Sequence, residues 1–144
     1  MGTERSADAI DVVRAFFAAM TESGARGAEP YLADDIVFTN VSLPTARGKR
    51  SVLRALSALD RSPVRFSMQE KAIAATADTV LIERTDEVAV GRLRIRFWVW
   101  GHFEVSDGRI TVWRDYFDWY DVARGVVVAL VEPMTTRIRL RSRR

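Results

Sequence analysis

The amino-acid sequence predicts an α+β fold, in which a curved sheet wraps helices and leaves a pocket between them. Three observations lead to this prediction. Apolar residues recur mostly at helical spacing before residue 64, they alternate along the chain after it, and the last apolar segment is again helical. No repeat or linker divides the chain, so we expect a single domain at 1–135, followed by a flexible basic tail at 136–144.

The N-terminal part of the chain is predicted to be mainly helical. A first amphipathic helix begins with Ser6 as its cap and ends at residues 22–24, whose sequence is ESG. Its apolar face consists of Ile10, Val13, Phe16, Phe17 and Met20. A short helix at 28–33, a strand at 36–41 and a helix at 49–59 follow.

The rest of the chain is predicted to be a sheet followed by one more helix. Four strand-like runs lie at 64–75, 79–90, 92–105 and 109–118, separated by short turn sequences. Residues 119–131 form a very apolar helix, which Pro133 is expected to stop. This helix is expected to cap the pocket or to join a dimer, and contact with an anionic membrane surface is a weaker alternative.

The composition excludes several kinds of site. The chain has no cysteine and a single histidine, His102. A disulfide framework, an iron–sulfur cluster, a thiol nucleophile and a histidine-rich metal site are therefore ruled out. We expect no metal and no cofactor.

The formal net charge of +3 does not indicate nucleic-acid binding. Five of the 22 basic residues lie in the last eight positions, and in the rest of the chain acidic residues outnumber basic ones. The N-terminal residues lack the apolar core of a secretory signal, and the longest apolar run, at 126–131, is far shorter than the roughly 20 residues of a membrane span. The prediction is a cytoplasmic protein with no nucleic-acid partner and no membrane span.

The strand predicted at 79–90 departs from simple patterning. Because side chains alternate along a strand, Arg84 and Asp86 share a face with Ile82 and other branched aliphatic residues. Charges on an apolar face must be paired, since removing one partner of a buried ion pair costs about 3–5 kcal/mol. A structural salt bridge at a sheet edge is one interpretation, and a functional site is the other.

Two more strands place polar groups on apolar faces. Asp115 shares its face with Trp113 and Phe117, and Asn40 shares its face with Phe38. If these faces converge, one pocket combines the polar groups with their apolar neighbours. That predicted pocket contains Asn40, Arg84, Asp86 and Asp115, and it is lined by Phe38, Ile82, Trp113 and Phe117.

One guanidinium between two carboxyl groups in an apolar cavity favours acid–base chemistry. The set carries a single net negative charge and becomes neutral on binding one proton, so one carboxyl group stays protonated near neutral pH while the other is ionised. The pair then supplies a general acid and a general base without a metal or a covalent nucleophile. Such a site suits the addition of water with protonation of a leaving oxygen.

These residues occur in strings that resemble the limonene-1,2-epoxide hydrolase family and its mycobacterial members. The strings are FTN at 38–40, ERTD at 83–86 and GRITVWRDYFD at 108–118. The spacing between them is also similar. The resemblance extends from the first predicted helix to the last and leaves the arginine-rich tail outside it.

The resemblance implies a cone-shaped fold of the cystatin-like or nuclear-transport-factor-like kind, usually in a homodimer. A curved mixed sheet, its N-terminal helices and a C-terminal helix close a hydrophobic pocket. The resemblance also implies the reaction, which is the conversion of a lipophilic epoxide into a vicinal diol. Asp115 deprotonates a water that Asn40 holds, Asp86 protonates the epoxide oxygen, and Arg84 bridges the two acids.

One position departs from the family's pattern. Phe38 stands where the family usually has a tyrosine that donates its hydroxyl to the same water. A lost neutral hydrogen bond is worth about 0.5–1.5 kcal/mol, so we expect slower hydrolysis or a substitute donor.

Two other functions remain compatible with the residues. An isomerase or polyketide cyclase on the same fold would use Asp115 or Asp86 to remove a carbon-bound proton, although an arginine between two acids suits water attack better. A non-catalytic carrier of hydrophobic small molecules would use the pocket without the acids, and it would be indifferent to Asp86→Asn.

Overall fold

The described residues form a mixed six-stranded sheet with three helices. The computed structural model describes residues 2–141, and their side chains as far as residue 131. The elements in chain order are α1 (Gly2–Ala28), a 3-10 turn (Glu29–Tyr31), β1 (Leu32–Asn40), β2 (Ala46–Arg47), α2 (Lys49–Asp60), β3 (Val64–Thr76), β4 (Thr79–Val90), β5 (Leu93–Ser106), β6 (Arg109–Phe117) and α3 (Trp119–Arg141). The predicted α+β class is confirmed.

The strands lie in the order β2-β1-β6-β5-β4-β3. The four long strands β3 to β6 form an antiparallel meander, whereas β1 lies parallel to β6 and makes the sheet mixed. Asp107 and Gly108 join β5 to β6 with φ angles of 49° and 71°. Two successive positive φ angles are typical of a type I′ hairpin turn, which fixes the register of the two strands.

The core lies between α1 and one face of the sheet. Phe16 and Phe17 of α1 make edge-to-face contacts with Trp113 of β6 and Phe103 of β5, at ring-centroid distances of 5.1 and 5.6 Å. All four side chains are buried. Because α1 covers the middle of the sheet and α2 packs beside it, a pocket remains open next to the two helices.

The predicted break at residues 22–24 corresponds to a kink inside α1. Gly24 has φ 58° and ψ −138°, which is non-helical backbone. A carboxylate oxygen of Asp60, at the end of α2, accepts a hydrogen bond of 2.8 Å from the backbone N–H of Ala25. An added Cβ at Gly24 would collide with this carboxylate, so the kink requires glycine both for its backbone angle and for space.

Two details of the N-terminal prediction are wrong. Ser6 is not the helix cap, because α1 already begins at Gly2 and the Ser6 hydroxyl donates to the Gly2 carbonyl at 2.9 Å. The short helix predicted at 28–33 is a 3-10 turn that ends at Tyr31. Leu32 begins β1, where its pairing with Ile110 and its complete burial favour the sheet over a helix.

The last helix differs from the prediction in length and place. α3 continues through Pro133 to Arg141. The fixed φ of proline is itself helical, so the residue is tolerated although it removes one backbone hydrogen bond and crowds the preceding turn. The Asp121 carboxylate accepts a hydrogen bond of 3.1 Å from the backbone N–H of Trp98, beyond the last residue pair between β5 and β6. α3 therefore lies along the free edge of β5, where Gly125 approaches Arg96, and none of its described side chains lines the pocket that this helix was expected to close.

The predicted tail at 136–144 overlaps α3. Residues 136–141 are helical, and 142–144 lie outside the described residues. Within the described part of the chain, no helix is both long and apolar enough to cross a lipid bilayer.

Candidate active site

A buried arginine joins two buried carboxylates on the helix-covered face of the sheet. Arg84 is 1% exposed, Asp86 4% and Asp115 6%. Arg84 donates from Nε to Asp86 Oδ1 at 2.8 Å and from Nη2 to Asp86 Oδ2 at 3.1 Å. It also donates from Nη1 to Asp115 Oδ1 at 3.0 Å and from Nη2 to Asp115 Oδ2 at 2.7 Å. One guanidinium thus binds both carboxylates through two hydrogen bonds each.

The strand register explains this convergence. Arg84 and Asp86 are two residues apart on β4, so they share a face, as the alternation predicts. Asp115 lies two strands away on β6, and the arginine side chain reaches it across β5. The ring of Phe17, on α1, lies 4.8 Å from the Arg84 guanidinium carbon and covers it from above.

Asn40 extends the cluster to a third strand. It pairs with Asp115 in the parallel register of β1 and β6, and the backbone N–H of Val41 donates to the Asp115 carbonyl at 2.9 Å. Within the described residues, the Asn40 side-chain amide has no hydrogen-bond partner. This amide and the Asp115 carboxylate both line the pocket, so a water molecule placed between them has a donor and an acceptor.

The pocket that these groups share has a volume of about 320 Å³ and is otherwise largely apolar. A volume of this order suits a small organic molecule. Its wall is formed by Met20, Gly24, Ala25, Phe38, Asn40, Ala55, Leu56, Leu59, Asp60, Phe66, Arg84, Asp86, Val88, Phe97, Val99, Trp113, Asp115 and Phe117. The polar groups are therefore presented to whatever occupies an apolar cavity.

Seven of the eight residues predicted for the site line this pocket. They are Asn40, Arg84, Asp86, Asp115, Phe38, Trp113 and Phe117. The Phe38 ring packs against Trp113 at a tilt of 39°, with ring centroids 4.2 Å apart, and it has no polar atom to offer to the pocket. Ile82 is the exception, because it is completely buried in the core below α1 and does not line this pocket.

The helices supply pocket residues that the sequence prediction missed. Met20 of α1 and Leu56 and Leu59 of α2 form part of the apolar wall. Their helical spacing predicts an amphipathic helix, but an apolar stripe does not reveal whether it faces a filled core or a cavity. Val88 and Phe97 lie on the same face of the sheet as Asp86, and strand alternation could have identified them.

Burial and neighbouring charges shift the pKa values of Asp86 and Arg84 in opposite directions. Burial raises the pKa of the Asp86 carboxyl above its ordinary value, and the positive charge of Arg84 offsets this rise only in part. For Arg84, burial alone would lower the pKa of the guanidinium, but Asp115 and Asp86 outweigh it and raise that pKa. The arginine therefore stays charged, while Asp86 takes up a proton more readily than an exposed aspartate.

Comparison with known proteins relates the chain to epoxide hydrolases. The model of the limonene-1,2-epoxide hydrolase catalytic domain matches residues 7–128. The epoxide hydrolase EphG of Mycobacterium tuberculosis is 43% identical over 124 residues, which cover 84% of this chain and 83% of that protein.

Solved structures agree in both sequence and fold. A structure of an LEH-like epoxide hydrolase of M. tuberculosis is 40% identical, covers 91% of this chain and 98% of its own, and superposes with a TM-score of 0.84. An NTF2-like protein of Burkholderia xenovorans LB400 has a TM-score of 0.68 at 22% identity, with 84% and 97% of the two chains covered. The second likeness concerns the fold alone.

Proposed function

Because the chain belongs to the limonene-1,2-epoxide hydrolase family and is an epoxide hydrolase, we propose that it adds water to a lipophilic epoxide by one-step acid–base catalysis. The product is a vicinal diol. The observation that carries this proposal is the guanidinium of Arg84, which binds two buried carboxylates at once on the wall of an apolar pocket.

The reaction begins with a water molecule held between Asn40 and Asp115. Asp115 removes one proton from this water while the water oxygen forms a bond to an epoxide carbon. The bond between that carbon and the epoxide oxygen breaks, and its electron pair stays on the oxygen. Support for this role of Asp115 comes from its register next to Asn40, whose amide has no protein partner among the described residues.

Asp86 gives its proton to the departing epoxide oxygen. The raised pKa of this carboxyl supports its role as the acid, because burial favours the protonated form. At the end of the reaction Asp115 holds a proton and Asp86 holds none. Transfer of one proton from Asp115 back to Asp86 restores the starting state, and all atoms are then accounted for.

Arg84 stabilises the negative charge of the site both before and after the reaction. Before the reaction the cation faces an ionised Asp115, and after it the cation faces an ionised Asp86. Because Arg84 makes two hydrogen bonds to each carboxyl group, a charge-assisted contact exists in both states. In a cavity with few other polar groups, this reduces the cost of moving the negative charge from one aspartate to the other.

The apolar wall indicates the class of substrate. Apart from the catalytic cluster and Asp60, the pocket is lined by aliphatic, aromatic and small residues. A charged substrate would lose its hydration there without compensation, whereas a lipophilic epoxide gains from burial. We therefore propose a lipophilic epoxide that fits about 320 Å³.

We also propose that the enzyme is a homodimer, as the family resemblance implies, and that it is cytoplasmic, as expected from its N-terminal residues. The face of the sheet opposite the pocket exposes four large apolar side chains by 40–46%, those of Leu81, Trp98, Trp100 and Tyr116. Such a patch suits a second copy of the chain. Light scattering coupled to size-exclusion chromatography tests the dimer, and a monomeric mass contradicts it.

Diol formation from a panel of lipophilic epoxides, in the presence of EDTA, tests the function. We expect turnover by the wild type and a loss of about 100-fold or more in both Asp86→Asn and Asp115→Asn. Glu104→Gln is the matched control, since this exposed acid lies outside the pocket and its substitution should leave turnover unchanged. If either aspartate variant keeps wild-type turnover, the assigned roles are wrong.

A further inference from the structure

The arginine reaches Asp115 over a glycine. Gly101 lies on β5, between Ile82 of β4 and Asp115 of β6, with which it pairs directly on either side. Since neighbouring strands lie about 4.8 Å apart, a side chain from β4 must pass over β5 to reach β6. The side chain that makes this passage is Arg84, and the position below its guanidinium is Gly101.

No side chain fits at this position. A Cβ atom added to Gly101 would lie 2.7 Å from Arg84 Nη1, 2.8 Å from Ile82 Cγ2 and 2.8 Å from Phe103 Cε2. All three neighbours are essentially inaccessible to solvent. Arg84 Nη1 is the end of a flexible side chain, but four hydrogen bonds to the two aspartates hold this guanidinium in place. An added methyl group therefore has to displace atoms that have little room to move.

The backbone at Gly101 gives no other reason for a glycine. Its φ angle is not positive, unlike those of Gly24, Gly91 and Gly108. Glycine is also unfavourable inside a strand, because it loses more conformational freedom on folding than other residues and offers no side chain to pack. What distinguishes this position is the space that the missing side chain leaves for the guanidinium.

From this geometry we infer that Gly101 is a positioning residue of the catalytic cluster. Its missing side chain forms the passage through which Arg84 binds Asp115, and it thereby sets the placement of the acid relative to the base. The expected consequence for catalysis rests on the proposed function, whereas the effect of Gly101 on the placement of the arginine is independent of that function.

A double-mutant cycle with Gly101→Ala and Arg84→Lys tests the inference. Lysine keeps the positive charge but has no Nη1 atom for the new methyl group to meet. We expect Gly101→Ala to lower kcat about 100-fold, the order of loss that a misplacement of about 1 Å can cause, with KM changed less than about threefold. In the Arg84→Lys background, which is already slow, the same substitution should change kcat and Tm far less than in the wild type.

Gly91→Ala serves as the control for stability. Gly91 lies in the β4–β5 turn with φ 58°, and an added Cβ there would meet no atom within 4 Å. The strained backbone should lower Tm, but kcat should stay at the wild-type value. Activity loss in Gly101→Ala that merely followed reduced stability would also appear in this variant.

NMR of the arginine side chain supplies a readout that does not need turnover. The Nε–H of Arg84 donates to Asp86 in a buried site, so its signal should exchange slowly with solvent, and its absence from the Arg84→Lys spectrum identifies it. In Gly101→Ala we expect this signal to shift and to exchange faster. If the wild type forms no diol from any epoxide, the proposed function fails, while this signal still tests the positioning role.

The double-mutant cycle has outcomes that support the positioning role of Gly101 and outcomes that exclude it. The inference is supported if losses in kcat and Tm are coupled, or if Gly101→Ala unfolds while the double variant folds. It is overturned if the losses are equal in both backgrounds, if Gly101→Ala keeps wild-type kcat and an unchanged arginine signal, or if neither variant folds. The last result would mean that Ile82 and Phe103, and not Arg84, require the glycine.

Discussion

Arg84 on β4 and Asp115 on β6 are joined across β5 by two hydrogen bonds of 3.0 and 2.7 Å. The same guanidinium holds Asp86 on its own strand at 2.8 and 3.1 Å. Because Asp115 pairs in register with Asn40 on β1, the polar groups follow the sheet from β4 to β1 along one side of the pocket.

Replacing Arg84 by methionine should destabilise the protein strongly. The substitution leaves two carboxyl groups buried without a cation, which typically costs about 3–5 kcal/mol at neutral pH. Part of this loss should be regained at about pH 4, because burial raises the pKa of Asp86 and its protonation removes one of the unpaired negative charges. Urea unfolding at the two pH values measures both effects. The exposed Arg96, paired with Glu87, is the control position, and a loss in Arg96→Met as large as in Arg84→Met would contradict the account.

The activity should fall as pH rises through the pKa of Asp86. In the proposed mechanism the protonated form of this carboxyl is the acid, and burial raises its pKa above the ordinary value of 3.8. The descending limb of kcat/KM against pH should therefore lie above the range of an exposed aspartate. A profile whose only carboxyl limb rises with pH would exclude Asp86 as the acid.

The same shift predicts how Asp86 affects stability. An acid whose pKa is higher in the folded state than in the unfolded state binds its proton more tightly when folded, so its contribution favours folding at low pH. This contribution is lost as pH rises from about 3.8, the ordinary pKa of an aspartate, through the raised pKa of Asp86 in the folded protein. The difference in Tm between the wild type and Asp86→Asn should therefore move in favour of the variant over that window. A difference that is constant with pH would contradict the raised pKa.

Phe38→Tyr should raise turnover. A hydroxyl at this position would supply the donor that the resemblance implies for the attacking water, and a neutral hydrogen bond of about 0.5–1.5 kcal/mol corresponds to roughly 2–10-fold in rate. Phe66→Tyr adds a hydroxyl to another aromatic residue of the pocket wall and should bring no such gain. Steady-state kinetics of the two variants measure the difference. A well-folded Phe38→Tyr protein with unchanged or lower kcat would count against a missing donor.

Asn40→Ala should lower kcat about tenfold while Tm changes little. The amide has no protein hydrogen bond among the described residues, so its removal costs the folded state little but deprives the water of one contact. The neighbouring Thr39, whose hydroxyl contacts Thr45 at 3.0 Å, is the control, and Thr39→Val should leave kcat unchanged. Equal effects of the two substitutions on kcat would remove Asn40 from the site.

Gly24→Ala should loosen one end of the pocket. A positive φ costs a residue with a Cβ about 1–2 kcal/mol, and the new methyl group would also displace the Asp60 carboxylate from the N–H of Ala25. Because all three residues line the pocket, we expect a lower Tm and a higher KM. Gly2→Ala, at a position with no atom within 4 Å of an added Cβ, is the control. A lower Tm with an unchanged KM would mean that the kink has no part in shaping the pocket.

Strand alternation predicted that Arg84 and Asp86 share the face of Asp115, because the strand that carries the first two residues is regular around them. β4 pairs with β5 without any register shift, so Arg84 and Asp86 fall on the expected face. Alternation identifies a face but not the position along it, which is why Ile82 was placed in the pocket although it lies in the core below α1. The role of Gly101 could not be predicted from the sequence. Only the register of β4, β5 and β6 shows that the guanidinium of Arg84 passes over this residue.

The remaining errors involve tertiary contacts that a local pattern does not contain. Leu32 joins the sheet instead of a helix because it pairs with Ile110, far away in the chain. α3 lies along the edge of β5 because Asp121 accepts a hydrogen bond from the Trp98 backbone. Leu56 and Leu59 line the pocket next to the kink at Gly24, where the Asp60 carboxylate joins the end of α2 to α1.

In the proposed mechanism Asp115 acts as a base on water and forms no covalent bond to the substrate. A single turnover in ¹⁸O-labelled water, with enzyme in excess over a lipophilic epoxide, distinguishes this mechanism from one with a covalent intermediate. We expect the diol of this first turnover to carry one ¹⁸O atom and Asp115 to stay unlabelled in mass spectra of its peptide. An unlabelled first diol, with ¹⁸O appearing in the Asp115 carboxyl group, would contradict the proposed mechanism, because the oxygen would then have come from an ester of the enzyme.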